Sequence, residues 1–319
     1  MTSRRVTFLA VIIIGAGAAI WGILSQQRNV FTYSNTNTKA LIPIEDIVEG
    51  GPGKDGIPSI DTPKFVDVAA ADQSGIYADD GLGISVVSGT TARFYPFQIL
   101  VWHEIVNDTV GGRPLAVTYC PLCGTGIVYD RTIDGQAVEF GVSGKLYQSD
   151  LLMYDRKTES LWAQIEGRAV VGPLVGRRLT LIEAQNITWK EFKTKYPNGQ
   201  VLSTDTGYTR NYQSSPYGGY DTNEEIYFPI NNRDNRIDLK TRVLGIEING
   251  KFKAYPVEDV QRLKNVTDTF AGRMLRLTAD GEEVTILDTS SRQVIVPVHS
   301  FWFAWATFHP GTELYQPNR

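Results

Sequence analysis

Two cysteines are the whole thiol complement of this 319-residue chain, and they stand together in Tyr119-Cys120-Pro121-Leu122-Cys123-Gly124. A spacing of two residues lets both sulfurs turn toward one metal ion, or toward each other as a disulfide. Cys-Pro-x-Cys-Gly has the form of half a zinc knuckle, in which Pro and Gly close a tight turn. A metal site needs further ligands, and besides the pair there are only three histidines, His103, His299 and His309. His103 falls on a predicted helix ahead of the strand that delivers Cys120, so the chain can return it to the same end of a sheet. A Cys120–Cys123–His103 set with an open or weak fourth position suits a soft ion such as Cu(I), or zinc. His309 and Met153 are candidates for that fourth position. The competing reading of His103 is a hydrogen-bonded helix histidine, and polar placement explains His299 and His309 equally well.

The elements around the pair narrow its chemistry. Val117-Thr118-Tyr119 reads as a strand entering Cys120, and Ile127-Val128-Tyr129 as a strand leaving the turn. Thiol–disulfide exchangers place the first cysteine at a helix start, where the macrodipole lowers its pKa. A strand–turn–strand knuckle offers no such amides, which leaves metal binding or a clamping disulfide. Covalent haem is excluded, because Gly124 stands where a histidine would have to follow Cys123. Downstream, Ser143 to Gln164 interleaves Asp150, Asp155, Arg156, Glu159 and Gln164 with Tyr147, Tyr154 and Trp162. Asp155 to Glu159 reads as a charged hairpin turn, with a paired-carboxylate hydrolase as the sharper alternative. Ser149-Asp150 is followed at once by apolar Leu151-Leu152. Tyr119, Asp150 and Gln164 are therefore candidates to orient the ligands from behind. Neither a nucleophile elbow nor a phosphate loop, nucleotide fingerprint or H-E-x-x-H occurs.

The compartment follows from the N-terminus. Arg4-Arg5 precede an uncharged run from Val6 to Leu24, long enough to cross a bilayer core of roughly 30 Å. The positive-inside rule puts the N-terminus in the cytoplasm and residues beyond about 28 outside. A cleaved signal peptide competes, since Gly15 to Ala19 are small, but the run continues through Ile20, Trp21, Ile23 and Leu24 and favours a retained anchor. Outside the cytoplasm two nearby thiols tend to oxidise, which keeps the disulfide reading open.

Composition is ordinary, with 42% hydrophobic residues and a formal net charge of −4, so no nucleic-acid surface is implied. Tyr 15, Phe 13 and Trp 6 against Met 3 favour a β-rich interior. The chain also repeats itself. Tyr95 to Thr118 aligns without a gap on Tyr255 to Thr278, with nine identities in 24 positions, and Trp189 to Pro197 parallels Trp302 to Pro310. The expected architecture is α+β and β-rich, with duplicated strand–hairpin–helix units behind one N-terminal anchor helix. Boundaries fall at 1–28 for the anchor or signal, 29–62 for a linker without helix or strand, 63–235 for the first half, and 236–319 for a shorter second half. Only the first half carries the cysteines and His103, since Asp280 and Leu263 stand at the matching positions of the second.

Five segments together resemble one known family. They are Trp102 to Asp108, Val117 to Gly124, Phe140-Gly141-Val142-Ser143-Gly144, Ser149 to Arg156 and Ser160 to Gln164. Lys54 to Ile60, Tyr217 to Tyr220 and Phe301 to Trp305 continue the likeness. Over residues 45 to 315 the chain is similar to the family catalogued as domain of unknown function DUF3179, which implies little about activity. Two function classes stand. One is an envelope-anchored metal-binding or redox protein that holds Cu or Zn through Cys120, Cys123 and His103, with a delivery partner unspecified. The other is a binding or scaffold module in which Cys120–Cys123 is a structural disulfide.

Overall fold

The computed structural model describes residues 39–317, and strands dominate it. The first unit runs Leu82–Ser88 (β1), Thr91–Pro96 (β2), a one-turn helix Phe97–Leu100 (α1), then the meander Ile105–Val110 (β3), Arg113–Cys120 (β4) and Thr125–Asp130 (β5). An insertion follows, with Phe140–Tyr147 (β6), Asp150–Asp155 (β7), Leu161–Ala163 (β8) and Arg168–Val171 (β9). The unit closes on Gln185–Thr188 (β10), helix Trp189–Lys195 (α2) and Gln200–Leu202 (β11). After an irregular segment comes the second unit. It consists of Arg242–Ile248 (β12), Lys251–Pro256 (β13), Val257–Leu263 (α3), Asn265–Phe270 (β14), Arg273–Asp280 (β15), Glu283–Asp288 (β16), Val298–Phe301 (β17), Trp302–Phe308 (α4) and Glu313–Leu314 (β18).

Two sheets share one wiring. Four strands run β10-β1-β2-β11 in the first and β17-β12-β13-β18 in the second, with the fourth parallel to the third in both, and the first sheet adds Phe65–Asp67 antiparallel to β11. Pro96 and Pro256 are the residues just before the helices, with φ of −60° and −57°, the value a proline ring imposes, and ψ of 133° and 126°, which still belongs to the strand they end. The same side-chain tie then joins hairpin to meander in each unit. Tyr95 and Arg93 donate to Asp108, as Tyr255 and Lys253 donate to Asp268. Burying these carboxylates is tolerable because each is met by a cation and a hydroxyl.

The meanders differ in what covers them, and that difference positions the site. In β15, Leu275 and Leu277 are buried while Met274 and Arg276 are exposed, the alternation of a sheet with one wet face. In the first unit both faces are covered. Val106, Leu115, Val117 and Val128 pack on β1 and β2 through Ile84, Val86 and Tyr95. Ile105, Ala116, Ile127 and Tyr129 pack instead on Phe140, Val142, Leu151, Met153 and Trp162 of the insertion. Cys120 and Cys123 belong to this second core, under the inserted sheet.

Two expectations need correction. The linker reading of 29–62 fails at Ile47–Glu49, which adds an edge strand to β6 because the inserted sheet has an open edge there. The helix expected to carry His103 ends at Leu100, and His103 lies in the turn beyond it. The anchor segment lies outside the described residues. Among those described, no helix is long and apolar enough to cross a membrane.

Candidate metal centre

The knuckle is a four-residue loop closed by the last β4–β5 pair, Cys120 with Thr125. Inside it the Cys123 amide donates to the Cys120 carbonyl at 3.2 Å. Gly124 has φ of 60°, and a Cβ there would lie 2.9 Å from the Phe301 ring, so both backbone and space call for glycine. Phe301 belongs to the second unit, and its amide donates to the Cys123 carbonyl at 2.7 Å. Behind the loop, Gln164 holds the base of the knuckle. It accepts from Thr125 Oγ1 at 2.7 Å and donates to Thr118 Oγ1 at 2.8 Å.

A second turn meets the first. β6 and β7 form a hairpin in which Tyr147 pairs with Asp150, leaving Gln148 and Ser149 as a two-residue loop. Both have positive φ, 54° and 66°, as a type I′ turn demands. Asn-Gly suits that conformation and Gln-Ser does not, so the turn is held by its surroundings at some cost in backbone strain. The consequence is that the Ser149 carbonyl faces the sulfurs, 3.4 Å from Cys123 Sγ and 3.9 Å from Cys120 Sγ. The next residue, Asp150, is wholly buried. Its Oδ2 accepts from the Ile165 amide at 3.0 Å, while its Oδ1 has no hydrogen-bond partner.

Cys120, Cys123 and Asp150 thereby bring two sulfurs and a carboxylate oxygen within 4.8 Å of one another. Burial pushes the Cys123 thiol well above its ordinary value, and neighbouring Cys120 and Asp150 push it further. Burial likewise raises Asp150 well above the carboxylate range, and the charge of Glu166 adds to it. Only backbone amides of Ile165, Gln164 and Leu151 oppose that rise. A cation held between these groups would supply the charge that lets them ionise.

The residues nominated from sequence separate accordingly. Cys120 and Cys123 meet Asp150, which moves from a supporting place to the cluster itself. Gln164 supports the knuckle. Tyr119 turns away to stack on Phe97, with ring centroids 4.1 Å apart. His103 is not brought to the sulfurs. Its Nδ1–H donates to the Pro58 carbonyl at 2.7 Å, so Nε2 accepts from the Tyr212 hydroxyl at 2.7 Å. Both ring nitrogens are used, and burial lowers its pKa, keeping the ring neutral. His309 stacks between Phe252 and Trp305, and its pKa falls by burial to about 3. His299 is held down to about 4, again mainly by burial. Met153 lies in the same apolar core as the cysteines. Asp155 anchors its charged turn, accepting from Thr158 and from Trp162 Nε1.

Sequence reasoning noted Ser149 only as the residue before Asp150, and gave Glu104 no role. Ser149 enters through its carbonyl, which no side chain advertises. Glu104 is a buried carboxyl with φ of 58°, met by the Tyr217 hydroxyl at 3.3 Å, and burial pushes its pKa to about 8.

Residues 54–297 match a family model described as a protein of unknown function (DUF3179). No curated protein and no solved structure matches the chain.

Proposed function

This chain belongs to the DUF3179 family, and from its geometry we propose that Cys120, Cys123 and Asp150 hold a zinc ion. The observation that carries the reading is the Asp150 Oδ1 atom, buried beside two thiols with no partner. An unpartnered buried carboxylate oxygen is costly, and a metal ion removes the cost by binding it. Two thiolates and a carboxylate are a donor set that zinc accepts in tetrahedral sites, whereas the hard oxygen counts against Cu(I). The Ser149 carbonyl, 3.4 Å from Cys123 Sγ and 3.9 Å from Cys120 Sγ, is a further oxygen that the two turns offer. Enclosure of all three side chains suits an ion that is retained. The uncharged run from Val6 to Leu24 supports a membrane tether with the zinc-holding part outside the cytoplasm.

The test is elemental analysis combined with free-thiol counting on full-length protein purified in detergent without reductant. One zinc per chain, lost in Cys120→Ser and in Asp150→Asn, is the expected result. Absence of metal together with absence of free thiols would replace this reading with the disulfide-clamped binding module. Absence of metal with two free thiols that oxidise and reduce reversibly would favour a redox pair.

A further inference from the structure

Cys120, Cys123 and Asp150 are 1%, 0% and 0% exposed, so an ion reaches them only if some wall moves. The walls are unequal. The knuckle strands are paired over six residues on each side, Leu115 to Cys120 with Thr125 to Asp130. The inserted hairpin is paired from Phe140 to Tyr147 with Asp150 to Asp155 apart from one bulge. Opening either would break a ladder of backbone hydrogen bonds.

A third wall is the start of the second unit's last helix, where the Phe301 amide is bonded to Cys123; the fourth is the segment 203–241 between the two units, whose one regular element is the short 3₁₀ turn Tyr220–Thr222. A stretch of that length without strands is unusual in a packed domain and is most often functional. It reaches both turns of the site. Tyr220 donates to the Leu122 carbonyl at 3.0 Å, and the Phe228 carbonyl accepts from Ser149 Oγ at 2.9 Å. Tyr217, Ile226, Phe228 and Ile230 complete the core around the sulfurs. Residues 217–230 are fastened by Lys240, which lies beyond them where the Phe303 and Trp302 amides hold the Leu239 and Thr241 carbonyls; its ammonium sits 3.3 Å above the Tyr220 ring and donates to the Tyr220 carbonyl and to Asn223 Oδ1. Beside it lies a cavity of about 590 Å³, lined by Asp221, Asn223, Leu239, Lys240 and Phe301 among others. The strap therefore has free space on one flank.

We propose that residues 217–230 of this segment are a gate over the zinc centre, latched by Lys240 on Tyr220, and that their release exposes both turns together. The proposal rests on the zinc reading for its ligand, but the gate itself also controls access to the bare thiols. Releasing residues 217–230 breaks the hydrogen bonds of Tyr217 to Glu104, Tyr220 to Leu122, Ser149 to Phe228 and Lys240 to Tyr220 and Asn223, with one cation–ring contact, and lifts Tyr217, Tyr220, Ile226 and Phe228 from the core, so it is a local opening rather than global unfolding.

The experiment uses full-length protein, reduced and freed of metal by chelation. Zinc uptake is followed by stopped flow, and thiol labelling by a bulky aromatic disulfide, in the parent chain, Lys240→Ala and Tyr220→Phe. Both rates are expected to rise by about 3- to 10-fold in each variant, the factor that loss of one hydrogen bond or latch contact gives an opening equilibrium. Final zinc stoichiometry stays the same. Zinc bound at one per chain with rates identical in all three proteins overturns the gate and leaves the metal centre standing. Labelling that accelerates in a protein that binds no zinc supports the gate and removes the metal. Should Lys240→Ala fail to fold, Tyr220→Phe, which keeps the ring and loses only its hydroxyl, carries the comparison.

Discussion

Replacing Asp150 by asparagine removes one anionic donor from the centre while keeping an oxygen to accept the Ile165 amide, which now reaches Oδ2 at 3.0 Å. Structural zinc sites bind with apparent free energies of about 10–16 kcal/mol near neutral pH, or about 2.5–4 kcal/mol for each of four ligands. Losing one such ligand weakens binding by about 10²- to 10³-fold. A second consequence separates a ligand from a bystander. Burial raises the Asp150 pKa well above the carboxylate range in the metal-free protein, so zinc competes with a proton there more than it would at an exposed carboxylate. Asparagine has no proton to lose. A plot of log Kd against pH should therefore be shallower for Asp150→Asn than for the parent, measured by competition with a chromophoric chelator between pH 6 and 8. Stability of the metal-free forms moves the other way. A carboxyl whose folded pKa is raised costs stability as pH climbs above its unfolded value of about 3.9. Asparagine escapes that cost, so the metal-free variant gains on the parent as pH rises. Equal affinities and equal pH slopes in the two proteins would refute the assignment of Asp150 as a ligand.

Glu104, with a folded pKa of about 8 against an ordinary 4.5, makes the protein lose stability between those values as pH rises. Urea unfolding should show Glu104→Gln gaining on the parent by up to about 1.4 kcal/mol per pH unit over that window and no further above it; parallel curves would contradict the shift. His103→Ala should keep its zinc, because both ring nitrogens are already engaged, yet lose about 2–4 kcal/mol of stability from a cavity and two stranded partners. A folded His103→Ala protein without zinc would return the histidine to the ligand set. Gly245→Ala sets a Cβ 2.2 Å from the Trp305 ring, and Gly83→Ala sets one 2.5 Å from the Phe94 ring. Each should lower the melting temperature, by overpacking worth about 1–3 kcal/mol. An unchanged melting temperature in both would mean that the hairpin–helix and hairpin–ring contacts are looser than described.

Much of the framework was legible because it depends on local rules. Alternating apolar residues and Gly-containing turns marked β1, β2, β12 and β13, and Tyr-Pro marked both helix entries, since proline ends a strand. The strand–turn–strand form of the knuckle was readable for the same reason: β-favouring residues flank a Pro- and Gly-bearing loop. The insertion was hidden. Its strands look in sequence like any other hairpins, and their job of covering the second face of one meander is a relation between distant segments. The Ile47–Glu49 strand escaped as well, because an edge strand three residues long is defined by its partner more than by its own composition.

The chain alone settled that two thiols sit on one tight turn, because a spacing of two fixes their neighbourhood by covalent geometry. It could not choose their third companion. His103 is close in sequence to Cys120 and chemically apt, but its ring is spent on Pro58 and Tyr212. Asp150 reaches the sulfurs from another sheet, through a Gln-Ser turn whose left-handed backbone composition does not announce. Ligand identity is a long-range property: it is decided by which buried atom is left without a partner when the sheets close, and only the packed structure records that.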